Sequence, residues 1–328
     1  MSLARVRGPG HPDQACDLVA ATIVEEYLRR DPTSRLNIRV SGGRGVLFAV
    51  GEVLSNADFD VSATVRKALG QSGVQAHVDP FIAFEPLAPS LAPDVGSRGW
   101  AQAFAYATDE TPSRFPKPVA VARELAQDLE RLRREDADWF WLGSDYEVVV
   151  DTRRPRPAVE FRLEHVETQS LDRVRHAVQS TFAEKGIDIR VNPAGAEKVA
   201  GLNGRIGSSW RVSSLDGYGA FLPDAGTGVG LHVRHPANMG SWLLRAAARE
   251  LVASGKGKAI MAHAAWAPLE SSPGFLRFRN ERGDDLTSAF PASRFDLLHV
   301  LETYREPRLA VDVIRATFDA KVNLPWET

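Results

Sequence analysis

Residues 10–32 read GHPDQACDLVAATIVEEYLRRDP, and this stretch decides which fold we expect. Val19, Ile23 and Tyr27 recur at the spacing of one helical face, so a helix is predicted over residues 17–30. The Asp-Pro pair that follows is expected to end it, because a residue before proline avoids helical geometry. The chain therefore opens on a short rigid turn and one long helix.

The turn before this helix contains His11, Pro12 and Asp13. Pro12 fixes the entry to the helix, and Asp13 is the expected N-cap, because its carboxylate can accept hydrogen bonds from the free amides of the first turn. This structural interpretation leaves His11 unexplained. A histidine at a helix N-terminus, beside a carboxylate, can donate a hydrogen bond to an anion or serve near a metal-bound phosphate.

The remaining pattern is mixed α and β. Further helices are predicted over 61–69, 117–134, 171–185, 240–254, 294–304 and 309–318, and strands over 36–40, 46–50, 147–150, 158–166, 187–191, 258–265 and 274–279. Gly42-Gly43 is predicted to be a turn, residues 85–99 a loop, and the glycine-rich region 195–230 irregular around a short strand at Trp210. Helices with flanking strands recur about three times, which predicts three α+β layers rather than an eightfold barrel.

Composition narrows the class of protein. The 328 residues carry 40 Lys+Arg and 42 Asp+Glu, and 44% of them are hydrophobic, as in ordinary globular proteins of two or three domains. The near-neutral balance argues against a partner such as duplex nucleic acid, which needs a basic surface. No apolar run is long enough for a membrane span, so a cytoplasmic protein is expected. A single cysteine, Cys16, excludes an internal disulfide and a multi-thiolate zinc site.

Two more segments contain candidate functional residues. Residues 106–111 read YATDET, which alone indicates a polar loop before the helix that starts at 117. Residues 201–205 read GLNGR, where Arg205 is either a surface arginine on a flexible loop or a bidentate phosphate ligand. Neither a phosphate-binding loop of the GxxxxGK[ST] type nor a GxGxxG fingerprint accompanies them.

Taken together and in order, these motifs resemble the S-adenosylmethionine synthetase (methionine adenosyltransferase) family. The resemblance rests on GHPD at 10–13, VGEV at 50–53, YATDET at 106–111 with the prolines at 116 and 118, NPAG at 192–195, GLNGR at 201–205, DGYG at 216–219 and LPWE at 324–327. It implies an α+β fold of three intertwined α/β domains with pseudo-threefold symmetry. The parts expected are 1–105, 106–230 and 231–328, and the resemblance also implies a homodimer with active sites at its interface.

The resemblance also implies roles for individual residues. His11, beside the leaving oxygen, and Arg205, in the phosphate loop, would be catalytic. Glu52 would hold the ammonium group of a methionine-like amino acid, and Arg234 would contact phosphate. Asp13 would bind Mg²⁺, and Arg39 would replace the monovalent cation of the family. The implied partners are a nucleotide or other adenosyl substrate and an amino acid.

Several family positions depart from the pattern. Lysines of the family align with Gln14, Glu147, Ile206 and Asn238, and an aspartate aligns with Gly240. The family's GDQG segment falls on residues 98–101 without its aspartate. Each charged contact to phosphate is worth about 1.5–3 kcal/mol, so losing several weakens the stabilisation of a leaving triphosphate unless other cations replace them.

The leading hypothesis is a divergent methionine adenosyltransferase-like enzyme. It would act on ATP and methionine, or on S-adenosylmethionine itself, with an impaired triphosphatase step. A second hypothesis is a non-catalytic pseudoenzyme that pairs with a true synthetase and regulates it, which the charge reversal at Glu147 favours. A third is an ordinary synthetase whose missing lysines come from unaligned positions.

Overall fold

A computed structural model describes residues 2–74, 77–91, 95–196, 199–211, 218, 222, 228–300 and 309–327. The helices are α1 (Pro12–Arg30), α2 (Val61–Gln71), α3 (Lys117–Glu135), α4 (Leu171–Thr181), α5 (Gly201–Gly204), α6 (Pro236–Ala253), α7 (Leu297–Val300) and α8 (Leu309–Arg315). The strands are β1 (Leu3–Arg7), β2 (Arg35–Gly43), β3 (Val46–Leu54), β4 (Asp79–Pro86), β5 (Ala101–Thr108), β6 (Leu142–Asp151), β7 (Ala158–His165), β8 (Asp188–Val191), β9 (Gly207–Ser208), β10 (Ala259–Trp266) and β11 (Phe275–Asn280).

In the described part of the chain, these strands form three sheets whose members come from distant parts of the sequence. The sheet orders are β1-β6-β7-β8, β4-β3-β2-β9 and β11-β10-β5. The pairs β3-β4 and β7-β8 are parallel, and the other pairs are antiparallel. Because β1 pairs with β6 and β5 pairs with β10, the three layers are intertwined, as the resemblance implied.

One long helix packs on each sheet: α1 on β2 and β9, α3 on β1 and β6, and α6 on β5 and β10. One face of each sheet is buried against its helix. In β2, for example, Leu36, Ile38 and Val40 are buried and alternate with more exposed polar residues. The three predicted α+β layers are therefore confirmed. None of the helices in the described residues combines the length and the apolar character needed to cross a membrane.

The structure corrects several local predictions. The N-cap of α1 is His11, and Asp13 lies inside the first turn. Gly42-Gly43 belongs to β2, and the turn falls at Arg44 and Gly45, both with positive φ. Trp210 lies in a turn rather than a strand.

The other differences concern short or weakly periodic elements. The helix predicted over 294–304 is a 3₁₀ turn at 292–295 followed by α7, and residues 301–308 lie outside the described part. Strands β1, β4 and β5 were missed. In β1 the signal was short: Ala4 and Val6 are buried and alternate with Leu3 and Arg5, a pattern too brief to stand out.

Candidate functional site

The first candidate site lies at the N-terminus of α1. The ring Nδ1 of His11 accepts a hydrogen bond from the backbone N–H of Asp13 at 3.3 Å, and the side chain is buried. Burial, followed by the positive charges of Arg7 and Arg205, lowers the pKa of His11 to about 2. The ring is therefore neutral at pH 7, and because Nδ1 is the acceptor, its proton is on Nε2.

Asp13 lies in the first turn of α1 and is surrounded by donors. Its Oδ2 is 3.4 Å from Nη1 of Arg7, and its Oδ1 is 3.5 Å from Nη1 of Arg211. The same Oδ1 accepts the backbone N–H of Ser208 at 3.0 Å. Strand β9 reaches it because Gly207 has no side chain: a Cβ there would lie 2.1 Å from the carbonyl oxygen of Pro12.

Arg205 joins this group from the end of α5. Its guanidinium donates to Oδ2 of the buried Asp145, which also accepts the backbone N–H of Gly201 at 2.6 Å. The Nε of Arg205 is buried and has no hydrogen-bond acceptor. Arg205 is close enough to His11 to lower its pKa. The predicted pair of catalytic residues, His11 and Arg205, is therefore brought together.

Glu147, which stands where the resemblance expects a lysine, faces three arginines. In the sheet it stands opposite Arg7 of β1 and Arg162 of β7. Its carboxylate lies 3.4 Å from Nε of Arg5, 3.5 Å from Nε of Arg7 and 4.0 Å from Nη1 of Arg162. We call the five guanidinium groups around His11, Asp13 and Glu147 the arginine cluster; its members are Arg5, Arg7, Arg162, Arg205 and Arg211.

The arrangement around Asp13 does not fit a protein-held magnesium ion. Mg²⁺ demands oxygen ligands at about 2.0–2.1 Å in near-octahedral geometry. Both carboxylate oxygens of Asp13 face guanidinium groups, and the backbone N–H of Ser208 also donates to one of them. Among the described residues, no group of three His, Cys, Asp or Glu side chains stands together as a metal site. Magnesium stays a prediction from the resemblance.

A second part of the site is a cavity of about 300 Å³ beside β2 and β3. Glu52 and Arg98 line it, with their side chains 3.4 Å apart. Trp100 adds an exposed aromatic ring to the wall. Burial lowers the pKa of His232, another lining residue, to about 3, and Nε2 of this ring has no hydrogen-bond partner among the described residues. The cavity therefore offers the carboxylate of Glu52, the guanidinium groups of Arg35 and Arg98, and the neutral ring of His232.

Of the other two predicted residues, Arg39 lies on β2 between these two parts, and Arg234 lies near His232 of the cavity. Nη1 of Arg39 donates to the carbonyl oxygens of Ile38 at 3.0 Å and Val229 at 3.3 Å. Its guanidinium stands over the ring of Trp210, 5.1 Å from the centroid. Arg234 lies just before α6 and helps to lower the pKa of His232 at the cavity.

Strand β2 connects the two parts. Asn37 lines the cavity and Ser41 pairs with Ser208 of β9, which binds Asp13. These two strand positions are four residues apart, about 13 Å. His11, Asp13 and Arg205 thus form one group, and Glu52 lies in the other.

Sequence reasoning missed Arg7, the most buried member of the arginine cluster, because β1 was not predicted. Its alternation with Arg5, two residues earlier, was the available signal. The role of Arg98 beside Glu52 depends on a long-range contact that no local pattern reveals. Of the DGYG motif, only Tyr218 lies within the described residues.

Comparison with known proteins shows which sequences and which fold this chain is similar to. A family model described as "S-adenosylmethionine synthetase, N-terminal domain" matches residues 4–84. The S-adenosylmethionine synthase of Deinococcus radiodurans is 24% identical over 97% of this chain and 92% of that protein. The synthase of the same name from Sorangium cellulosum is 29% identical over 64% of this chain and 57% of that protein. An unusual S-adenosylmethionine synthetase from Campylobacter jejuni matches the structure with a TM-score of 0.85 at 18% identity, covering 100% of this chain and 97% of that one.

Proposed function

Because the chain is a divergent member of the S-adenosylmethionine synthetase family, we propose that it is an adenosyl-transferring enzyme. Its substrate is ATP together with a methionine-like amino acid, or S-adenosylmethionine itself. The observation that carries the proposal is the neutral, buried His11, held by its Nδ1 at the N-terminus of α1 with its Nε2 proton available to an oxygen. A donor in that position suits a leaving group that gains negative charge.

In the synthetase direction, the sulfur of the amino acid attacks C5′ of the nucleotide. The S–C5′ bond forms, the C5′–O bond breaks, and its electron pair goes to the oligophosphate oxygen. A hydrogen bond from Nε2 of His11 stabilises that oxygen, and Arg205 stabilises the phosphate charge nearby. Holding the sulfur in line with C5′ contributes much of the rate.

Hydrolysis of the oligophosphate is proposed to be impaired. Glu147 places a carboxylate where the resemblance expects a lysine, and Asp145 accepts a hydrogen bond from Nη2 of Arg205. Carboxylates so close to phosphate oxygens repel them at short range. In this proposal, His11 and Arg205 still stabilise the leaving oligophosphate. The further stabilisation of phosphate charge that hydrolysis needs is reduced.

The amino-acid side is proposed to be the cavity that Glu52 and Arg98 line. Glu52 pairs with an α-ammonium group and Arg98 with an α-carboxylate, because their side chains are already at ion-pair distance from each other. Trp100 offers an apolar surface to the rest of the amino acid. Arg39 is proposed to stand in for a monovalent cation, because it is bonded to two backbone carbonyl oxygens.

A homodimer is proposed from the outer face of the β4-β3-β2-β9 sheet. Phe48 and Phe81 stack on this face with 50% and 56% of their surfaces exposed, and Val50 beside them is 43% exposed. Arg39 and Glu52 lie at alternating positions on the same face as Phe48 and Val50. A second copy of the chain would cover the aromatic pair and close the site.

Phe81→Asp is expected to convert this dimer to a monomer, because a charge in an apolar interface costs several kcal/mol. Light scattering on a size-exclusion column measures the mass directly. Phe140→Asp is the matched control, since Phe140 is 70% exposed in the turn before β6, outside the β4-β3-β2-β9 sheet, and should leave the mass unchanged. A wild-type protein that elutes as a monomer at all concentrations would contradict the dimer.

A second candidate function is a pseudoenzyme that regulates a true synthetase. The internal pairing of Arg205 with Asp145 and of Arg7 with Glu147 favours it, because arginines already neutralised bind phosphate less strongly. Co-purification with a full-length synthetase, without turnover by the chain alone, would support this function over the first.

Calorimetric titration of the purified protein with ATP, S-adenosylmethionine and methionine in turn tests the proposal. Binding of ATP is expected if the synthetase reaction is used, and binding of S-adenosylmethionine without ATP if the chemistry starts from that compound. Absence of heat with all three ligands would contradict the enzyme proposal and favour the pseudoenzyme. The titrations are run with and without Mg²⁺.

A further inference from the structure

The place next to Asp13 where the family resemblance puts a magnesium ion is taken by guanidinium groups. Arg7 approaches Oδ2 and Arg211 approaches Oδ1, and both lie within ion-pair distance. We propose that the arginine cluster at the N-terminus of α1 binds an oligophosphate anion without a divalent cation. This inference rests on the proposed function, since it takes the cluster to be the phosphate side of that site.

Buried donors without acceptors indicate that an anion belongs there. Nη1 of Arg7, Nε of Arg205 and Nε2 of Gln14 are buried and make no hydrogen bond within the described residues. Arg7 is 8% exposed and Gln14 is 2% exposed. Gln14 lies in the first turn of α1, and Nη1 of Arg7 points at Asp13 in the same turn. Leaving such donors unsatisfied is costly, and phosphate oxygens are strong acceptors.

The guanidinium groups beside Asp13 favour an anion that brings no cation of its own. Arg7 and Arg211 face the carboxylate of Asp13 from its two oxygens. Their positive charge is supplemented by the N-terminus of the 19-residue helix α1. Arginine also binds phosphate bidentately, which a lysine cannot do. An added Mg²⁺ would instead lie beside Arg7 and Arg211 and be repelled.

The test is calorimetric titration of the full chain with inorganic triphosphate, once with excess EDTA and once with Mg²⁺. We expect the Kd in EDTA to agree with that in Mg²⁺ within about threefold. Triphosphate binding that needs Mg²⁺ would overturn the inference but leave the proposed function standing. Binding of S-adenosylmethionine without any binding of triphosphate would have the same two consequences. Failure of every ligand, adenosyl compounds included, would overturn both.

Two variants connect the binding to the cluster. Arg7→Met and Arg205→Met are each expected to weaken triphosphate binding in EDTA about tenfold or more, because each removes a charged donor to the anion. Arg205 is the safer variant for folding, since its side chain is 30% exposed. Arg153→Met, at an arginine 72% exposed and paired with Asp151, is the matched control and should bind as the wild type does. Unchanged binding in Arg205→Met would overturn the assignment to this cluster.

Discussion

His11→Ala is expected to lower the turnover of the adenosyl substrate about a hundred- to a thousandfold, which is the typical effect of removing one preorganised hydrogen-bond donor from a developing negative charge. The physical reason is the single Nε2 proton of a ring that burial and neighbouring arginines keep neutral. Substrate affinity should change far less than turnover, because the donor acts mainly on charge that appears in the transition state.

The same side chain also caps α1, so a second variant must separate the two roles. His11→Asn retains an acceptor at the position of Nδ1 and can still bond to the N–H of Asp13, but it has no atom at Nε2. We expect His11→Asn to unfold at the denaturant concentration of the wild type and to be as slow as His11→Ala. His11→Gln, which can place an amide donor near Nε2, should regain part of the rate. Full activity in His11→Ala would show that the histidine is only a cap.

Arg245→Met is expected to lower the free energy of unfolding by about 3–5 kcal/mol, the cost of breaking a buried ion pair from one side. Arg245 is 2% exposed on α6 and donates to both carboxylate oxygens of Glu327 at 2.8 Å. It also donates to the carbonyl oxygen of Tyr106 at 2.7 Å and to the hydroxyl of Tyr218 at 2.7 Å. Removing it leaves Glu327 half-buried with no charge partner of that strength.

Urea unfolding followed by circular dichroism measures this loss as a lower midpoint. Arg282→Met is the matched control, because Arg282 is 67% exposed in its pair with Asp284 and exposed pairs contribute about 0–1 kcal/mol. Double replacement of Arg245 and Glu327 by methionine should recover part of the stability, since no charge is then left buried alone. A single Arg245→Met variant as stable as Arg282→Met would contradict this account.

Separate short motifs of the family resemblance meet at Arg245. The YATDET segment contributes Tyr106, the DGYG motif contributes Tyr218, and the closing LPWE contributes Glu327. Each of these three residues is more than a hundred positions from the next in the chain, yet all three bond to one guanidinium group. Their order in the chain was visible in the sequence, whereas their convergence was not.

Helix prediction succeeded where apolar periodicity was long. The helices α1, α3 and α6 were all foreseen, because each presents a continuous apolar stripe to a sheet. Prediction failed for β1, which is short, for β4, which is half-exposed, and for β5, whose buried positions are mostly alanines with a weak apolar signal. The partners of β1 and β5 also lie far along the chain. Pairing across such distances leaves little trace in local composition.

The sequence by itself determined the three-layer α+β class, which follows from periodicity, and the likeness to the family, which follows from motifs in order. That likeness in turn implied the candidate residues His11, Asp13, Glu52 and Arg205. Only the tertiary structure decided what surrounds them. It brought Arg7 to one side of Asp13 and Arg211 to the other, and it set Arg98 against Glu52. The reason is that electrostatic environment depends on distance in space, and residues far apart in the chain, such as Asp13 and Arg211, come close only when the protein folds.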